Sequence, residues 1–211
     1  MAYHFKTSLI KLHQNFLFIF NQIIITTKIL KMSQVKALIN SVEKSRASYL
    51  NTVQILSKDK IEFKKNENSW NIIEITEHLY WAEFLGVAVM AKVLNEILEG
   101  KKELKYDSKN KGLSIEKVID LTWKEKEQVP DIAAPRVRGS FKFWMTSFIS
   151  LEKILFEFGN NLTDDMLRVI AHAHPISGEL DFHQRLEFLR YHIDRHHLQA
   201  KRNVKNFLEA D

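Results

Sequence analysis

The chain of 211 residues has no cysteine. Disulfides, thiolate zinc ligation and a cysteine nucleophile are thereby excluded together, so any transition-metal site must rest on His, Asp and Glu. Glycine and proline are scarce, at six and three, while 45% of the residues are hydrophobic. That composition points to one globular domain dominated by long helices and able to bury a real core. There is no Walker sequence, no glycine-rich phosphate loop and no Gly-x-Ser-x-Gly turn, which argues against nucleotide-driven chemistry and against an ordinary serine hydrolase. Neither repeats nor low-complexity segments stand out.

Acidic residues are missing from positions 1–31, where Lys6, Lys11, Lys28 and Lys31 supply four of the net charge of +5 and leave +1 for residues 32–211. The rest of the chain therefore lacks the concentrated basic field that drives phosphate binding, and a nucleic-acid partner is not expected. The apolar run Phe16 to Ile25 is interrupted by Asn21 and Gln22 and falls short of the ~20 residues that span a bilayer. Thr26, Thr27 and Lys28 follow it, in place of the small residues of a signal-peptidase site. Met32 opens a segment that reads like a cytosolic N-terminus, with Ser33 placed as a helix cap. The expectation is an N-terminal extension over 1–31, a domain over 32–211, a cytoplasmic location and no stable membrane partner; export or membrane association through 1–31 is the alternative.

Periodicity predicts four main helices and no sheet. The first covers about 33–57, with Val35, Leu38, Ile39, Val42, Leu50 and Val53 at helical spacing, and Ile61 and Phe63 should tuck inward after it. Ser69 is placed to cap a second, about 70–99, that stops at Gly100. Ser114 caps a shorter helix, about 114–128, ahead of Pro130, and the connector to Gly139 has turn chemistry. The third long helix, about 140–159, should end at Gly159-Asn160. Residues 161–180 then read as a crossover, with Pro175 and Gly178, that delivers the chain to a last helix over about 181–208. Four apolar-striped helices with long connections fit a bundle with crossovers, in which sites are built from side chains projecting inward.

Against that background His78, His192 and His196 carry the chemistry. Helical positions four apart lie about 40° apart in azimuth and ~6 Å apart along the axis, so His192 and His196 can reach one ion, and a histidine from a neighbouring helix completes a facial set. Three neutral nitrogens suit zinc, nickel, iron or cobalt and leave positions open for water or substrate. Phe182, Leu186, Leu189, Ile193, Ala200, Val204 and Phe207 form one amphipathic stripe, with His196 on it and His192 at its edge. The bland alternative is two satisfied core histidines. Glu74, one turn before His78, is either the carboxylate that orients its ring or an ordinary exposed glutamate. His174 either lines the mouth of the site or is a solvated loop residue, and His197 points away from the stripe.

Trp70 with Glu74, His78, Leu79 and Glu83, then Phe143-Trp144, the His174-Pro175 and Gly178 turn, and the closing His192, His196, His197 and Gln199 together resemble the DinB/YfiT-like superfamily in its DinB-2 type, over roughly 35–206. The resemblance implies an all-α, up-down-down-up four-helix bundle, often homodimeric. It also implies nickel or zinc held by histidines matching His78, His192 and His196. Characterised relatives include S-transferases that use low-molecular-weight thiols such as bacillithiol, and a mycothiol-dependent isomerase. The expected function is thus a metal-dependent enzyme acting on a small molecule, a thiol S-transferase or a hydrolase, with a non-enzymatic metal- or ligand-binding bundle as the rival. Glu74, His174, Trp81 and Gln199 are the candidate supporting or pocket residues.

Overall fold

The computed structural model describes residues 33–124 and 129–210, and the expectations for residues 1–31 lie outside them. Six helices and a hairpin follow one another: α1 Gln34–Val53, α2 Lys58–Glu62, α3 Ile72–Leu98, α4 Ile115–Thr122, α5 Phe141–Asn161, β1 Ile170–His174, β2 Gly178–Asp181 and α6 Phe182–Leu208. Short 3-10 turns lie at Asp131–Ala133 and Asp164–Met166. No helix among the described residues is long and apolar enough to cross a membrane.

Each long helix buries one stripe. In α1 the stripe is Val35, Ile39, Val42, Arg46, Tyr49 and Val53, the alternating steps of four and three that keep side chains on one face. In α5 it is Trp144, Phe148, Leu151, Leu155 and Phe158, and in α6 it includes Phe182, Leu186, Leu189, Ile193 and Ala200. These faces join those of α3 in one core.

Side-chain pairs give the helix directions. Arg46 meets Glu83 and Tyr49 meets Thr76, so the numbering runs oppositely in α1 and α3. Tyr80 and Trp81 pack against Trp144 in tilted and edge-on contacts, while Ala91 and Leu94 share a groove with Glu157 and Phe158, which makes α3 and α5 parallel. His78 faces His192, and Gly86 faces Arg185, so α6 runs back against α3. The order is up-down-down-up, as expected.

Four boundaries differ from the periodicity reading: α1 ends at Val53 and not near residue 57, and the other three differ for local reasons. Asn71 caps α3, accepting from the Glu74 N–H while Glu74 accepts from the Asn71 N–H, a reciprocal capping box. Ser69 instead closes a turn with Asn66. Helix α4 stops at Thr122, with Trp123 as its C-cap. Gly159 lies inside α5: a Cβ there would lie 2.0 Å from Ile39 Cδ1, so the glycine permits close approach of α1 and does not end the helix.

The expected absence of a sheet is corrected by β1 and β2. They pair antiparallel with an irregularity between Ile170 and His172, and Gly178 adopts φ +73° in the turn. Asn110 fixes the hairpin to the long loop by donating to the carbonyls of Ser177 (2.7 Å) and Glu179 (3.0 Å).

A buried ion pair ties three helices together. The Arg46 guanidinium donates to Glu83, to both oxygens of Glu43 and to the Phe148 carbonyl at 2.9 Å, and Arg46 and Glu83 are each almost fully buried. Removing one partner of such a pair leaves an uncompensated charge, whereas replacing both with apolar groups is far milder. Glu83→Ala is expected to lose about 3 kcal/mol in urea denaturation, and Arg46→Met/Glu83→Leu to return within about 1 kcal/mol of wild type. A Glu83→Ala protein as stable as wild type would contradict this account.

Candidate metal centre

The antiparallel contact of α3 with α6 brings His78, His192 and His196 together, with one ligand atom from each lying within 4.8 Å of the others. All three are buried, at 3%, 9% and 7% exposure. Nε2 of His192 lies 3.1 Å from Nε2 of His78 and 3.2 Å from Nε2 of His196.

What the outer nitrogens do decides what the inner ones offer. His78 Nδ1 lies 2.8 Å from the Ala133 carbonyl, which can only accept, so the ring proton is on Nδ1. His196 Nδ1 lies 2.7 Å from Gln199 Oε1, with the same consequence. Both rings therefore turn an Nε2 lone pair towards His192. A single proton on His192 Nε2 can serve one of these neighbours and leaves the other nitrogen facing a nitrogen. A divalent ion accepts all three lone pairs at once. With metal–nitrogen bonds of about 2.1 Å, ligand nitrogens stand about 3.0 Å apart in an octahedral set and about 3.4 Å in a tetrahedral one, and the two close separations here fall between these. The donor set fits a divalent transition metal, and a carbonyl or amide on the far nitrogen is the usual means of fixing a ligand's tautomer and orientation.

Aromatic walls close the site. Trp70 lies against His78 at 5.0 Å between ring centroids and stacks on His196 at 6.3 Å. Phe188 stacks on His192 at 5.7 Å. Trp70 stays beside α6 because Asn203 Nδ2 donates to the carbonyls of Phe63 and Trp70. Burial pushes His78 down to about 4, opposed by its bond to Ala133. Burial first, then the neighbouring imidazoles, hold His192 and His196 well below the ordinary histidine range. Neutral rings are the metal-binding form.

The supporting candidates divide. Gln199 orients His196 as described. His174 ends β1, lines the same cavity of about 1320 Å³ as the three histidines, and lies between Trp123 and Phe188. Its Nδ1 accepts from the N–H groups of Ile176 and Ser177, both at 3.2 Å, so its proton is on Nε2. Glu74 is committed to the cap of α3 and an ion pair with Lys64, and His78 takes a backbone carbonyl in its place. Trp81 packs on Trp144 and under the Arg136 guanidinium, 4.4 Å from Cζ to the ring, and is not among the cavity's lining residues. His197 meets Thr52 and Tyr49 on the other side of α6, as expected of a packing residue.

Sequence reasoning missed Glu77. Its buried carboxylate accepts from the backbone N–H groups of Arg136 and Val137, both at 2.8 Å, and of Arg138. It thereby pins to α3 the connector that carries Ala133. An acid beside His78 with no basic residue at helical spacing was the available signal. The Ala133 carbonyl is backbone and has no side-chain signature at all.

Protonation provides a check on the buried cluster. In the metal-free protein the unfolded chain binds a proton at His78 near pH 6.5, while the folded chain does so only near 4. The unfolded state holds more protons in between, so folding stability rises with pH across that window and is lost as pH falls through it. The His78 shift corresponds to on the order of 3 kcal/mol. Metal-free protein is expected to lose melting temperature steadily from pH 6.5 to 4, with a smaller loss in His78→Gln. A flat profile over that range would show that the rings protonate freely in place.

A search of curated proteins finds no match to this chain. The family model described as the DinB superfamily matches residues 41–200, a span that contains α3, the hairpin and all three histidines. The residues that place the chain in a helical bundle and those that build its histidine cluster thus fall in one matched stretch, and the chain belongs to the DinB superfamily.

Proposed function

We propose that the chain is a metal-dependent enzyme acting on a small molecule, with a divalent ion, nickel or zinc, held by His78, His192 and His196. The observation that carries this reading is the pair of outward hydrogen bonds, from His78 to Ala133 and from His196 to Gln199, which leaves the inner nitrogens as converging lone pairs. A bound ion would act as a Lewis acid and lower the pKa of a water or a small thiol placed on it.

The chain's own groups supply the rest. Trp70 and Phe188 pack on the imidazole faces and keep bulk water from the ligand set, which strengthens the electrostatic interactions there. Ala133 and Gln199 fix ring orientation. His174, with its proton on Nε2 and its ring lining the cavity, offers a hydrogen-bond donor to a substrate. The cavity volume exceeds the roughly 300–1,000 Å³ typical of a site for one small ligand, which leaves room for an electrophile beside a thiol. Transfer of a low-molecular-weight thiol, the chemistry of characterised relatives, is therefore favoured over hydrolysis.

Metal content tests the reading. Plasma mass spectrometry on protein purified without a histidine-rich tag is expected to find about one equivalent of a single transition metal, lost in His192→Ala/His196→Ala. Absence of metal in both proteins, with none taken up on reconstitution, would leave a bundle whose histidines serve only the core.

A further inference from the structure

Two arginines are buried in this bundle and they are treated in opposite ways. Arg46 has partners on all its nitrogens. Arg185, in the first turns of α6 and only 4% exposed, has Nε and Nη1 buried with no hydrogen-bond partner. Burial is the sole influence on its ionisation, lowering it to about 10, so it stays cationic at neutral pH and no carboxylate is close enough to offset it. Its neighbours include the Phe188 ring, 5.4 Å from Cζ, Gly86 on α3, and His172 and His174, whose protonation its charge disfavours.

The guanidinium lines the same cavity as the three histidines. Gly86 shows that the space around it is kept clear. A Cβ at that position would lie 3.3 Å from Arg185 Nη2 and 3.6 Å from Leu189 Cδ2, in the interior of a helix where glycine costs about 1 kcal/mol relative to alanine. Phe188 touches both groups: its ring stacks on His192 and lies near Arg185. Arg185 precedes His192 by two turns of α6, about 10 Å along the axis.

We infer that Arg185 is the binding site for an oxyanion group, a carboxylate or a phosphate, on the small molecule that enters the cavity, and that it holds this group about two helical turns from the histidine cluster. A guanidinium with free N–H donors in a water-poor wall is the residue best matched to two oxygens of one anionic group. The inference rests on the cavity being the substrate site, and it adds the substrate's charge and the position of that charge.

Thermal unfolding in sodium chloride, sodium acetate or sodium phosphate at equal ionic strength tests it, comparing wild type with Arg185→Met. Binding to the folded state alone raises the melting temperature, by about 4 °C at ten times Kd for a chain of this size. Acetate or phosphate is expected to raise the wild type by that order over chloride and to leave Arg185→Met unmoved, with Arg185→Met in chloride melting no lower than wild type. A response to acetate alone assigns a carboxylate, and one to phosphate alone a phosphate. Equal increments in the two proteins, or none in either, would overturn the proposal. Gly86→Ala, which crowds the guanidinium without removing it, should shrink the increment and serves if Arg185→Met does not fold. Repeating the series in His192→Ala/His196→Ala separates the two readings: an increment that persists there belongs to Arg185, whatever the metal content proves to be.

Discussion

The antiparallel contact between α3 and α6 is the constraint on which everything else depends. One register places His78 opposite His192 and His196 and, two turns away, Gly86 opposite Arg185. The contact tolerates little error, because sliding one helix by a single turn moves side chains by about 5.4 Å, more than the span of the whole ligand set. Apolar packing of Leu79, Leu186, Leu189 and Ile193 supplies the attraction, but attraction of that kind is non-directional. Directional groups help to hold the register: Gln184 at the start of α6 donates its amide to the carbonyls of Asn110 and Leu113 in the loop that follows α3.

Several buried polar groups in the bundle are fully matched, and they set the unmatched ones in relief. Glu77 accepts from the connector backbone, Asn203 from α6 donates to two carbonyls, and Arg46 is saturated. An unmatched buried group costs about 1–3 kcal/mol, more when charged. Among the unmatched groups, which also include Trp144 Nε1 and His172 Nε2, two places stand together: three imidazole nitrogens turned towards one another, and a guanidinium with no anion. Both line one cavity. Unmet demand gathered on one cavity wall is where a ligand can meet it.

Much of this was legible in the residues, and the limits have physical causes. Helical stripes located all four long helices because burial selects one face of each, and the His-x3-His spacing on the last of them joined two ligands. The hairpin escaped detection because Ile170 to His174 and Gly178 to Asp181 are too short for alternation to stand out, although the β-branched Val169 and Ile170 and the positive-φ glycine were signals. Gly159 was misread as a stop because packing against Ile39 uses the same residue type as a C-cap. Of the two readings open for Glu74, neither named helix capping, an ordinary demand of any exposed helix start. Arg185 drew no attention, since a lone arginine near a helix start carries no pattern. Its meaning lies in what is missing around it, which only three-dimensional placement reveals.

The route from fold to chemistry runs through the connector between α4 and α5. Glu77 grips its backbone, the grip holds the 3-10 turn Asp131–Ala133 against α3, and the turn presents the carbonyl that fixes the proton of His78 on Nδ1. A carboxylate one residue from His78 thus sets that histidine's tautomer without touching it. Direct contact with Glu77 would have placed a full negative charge beside the ligand set. A backbone carbonyl gives the same tautomer from a neutral acceptor, so the centre keeps three uncharged ligands, and the full positive charge of an ion bound there would be available to polarise whatever it held. Arg185 and Arg195, both cations of α6, line the same cavity, so an incoming anion meets positive charge along its path.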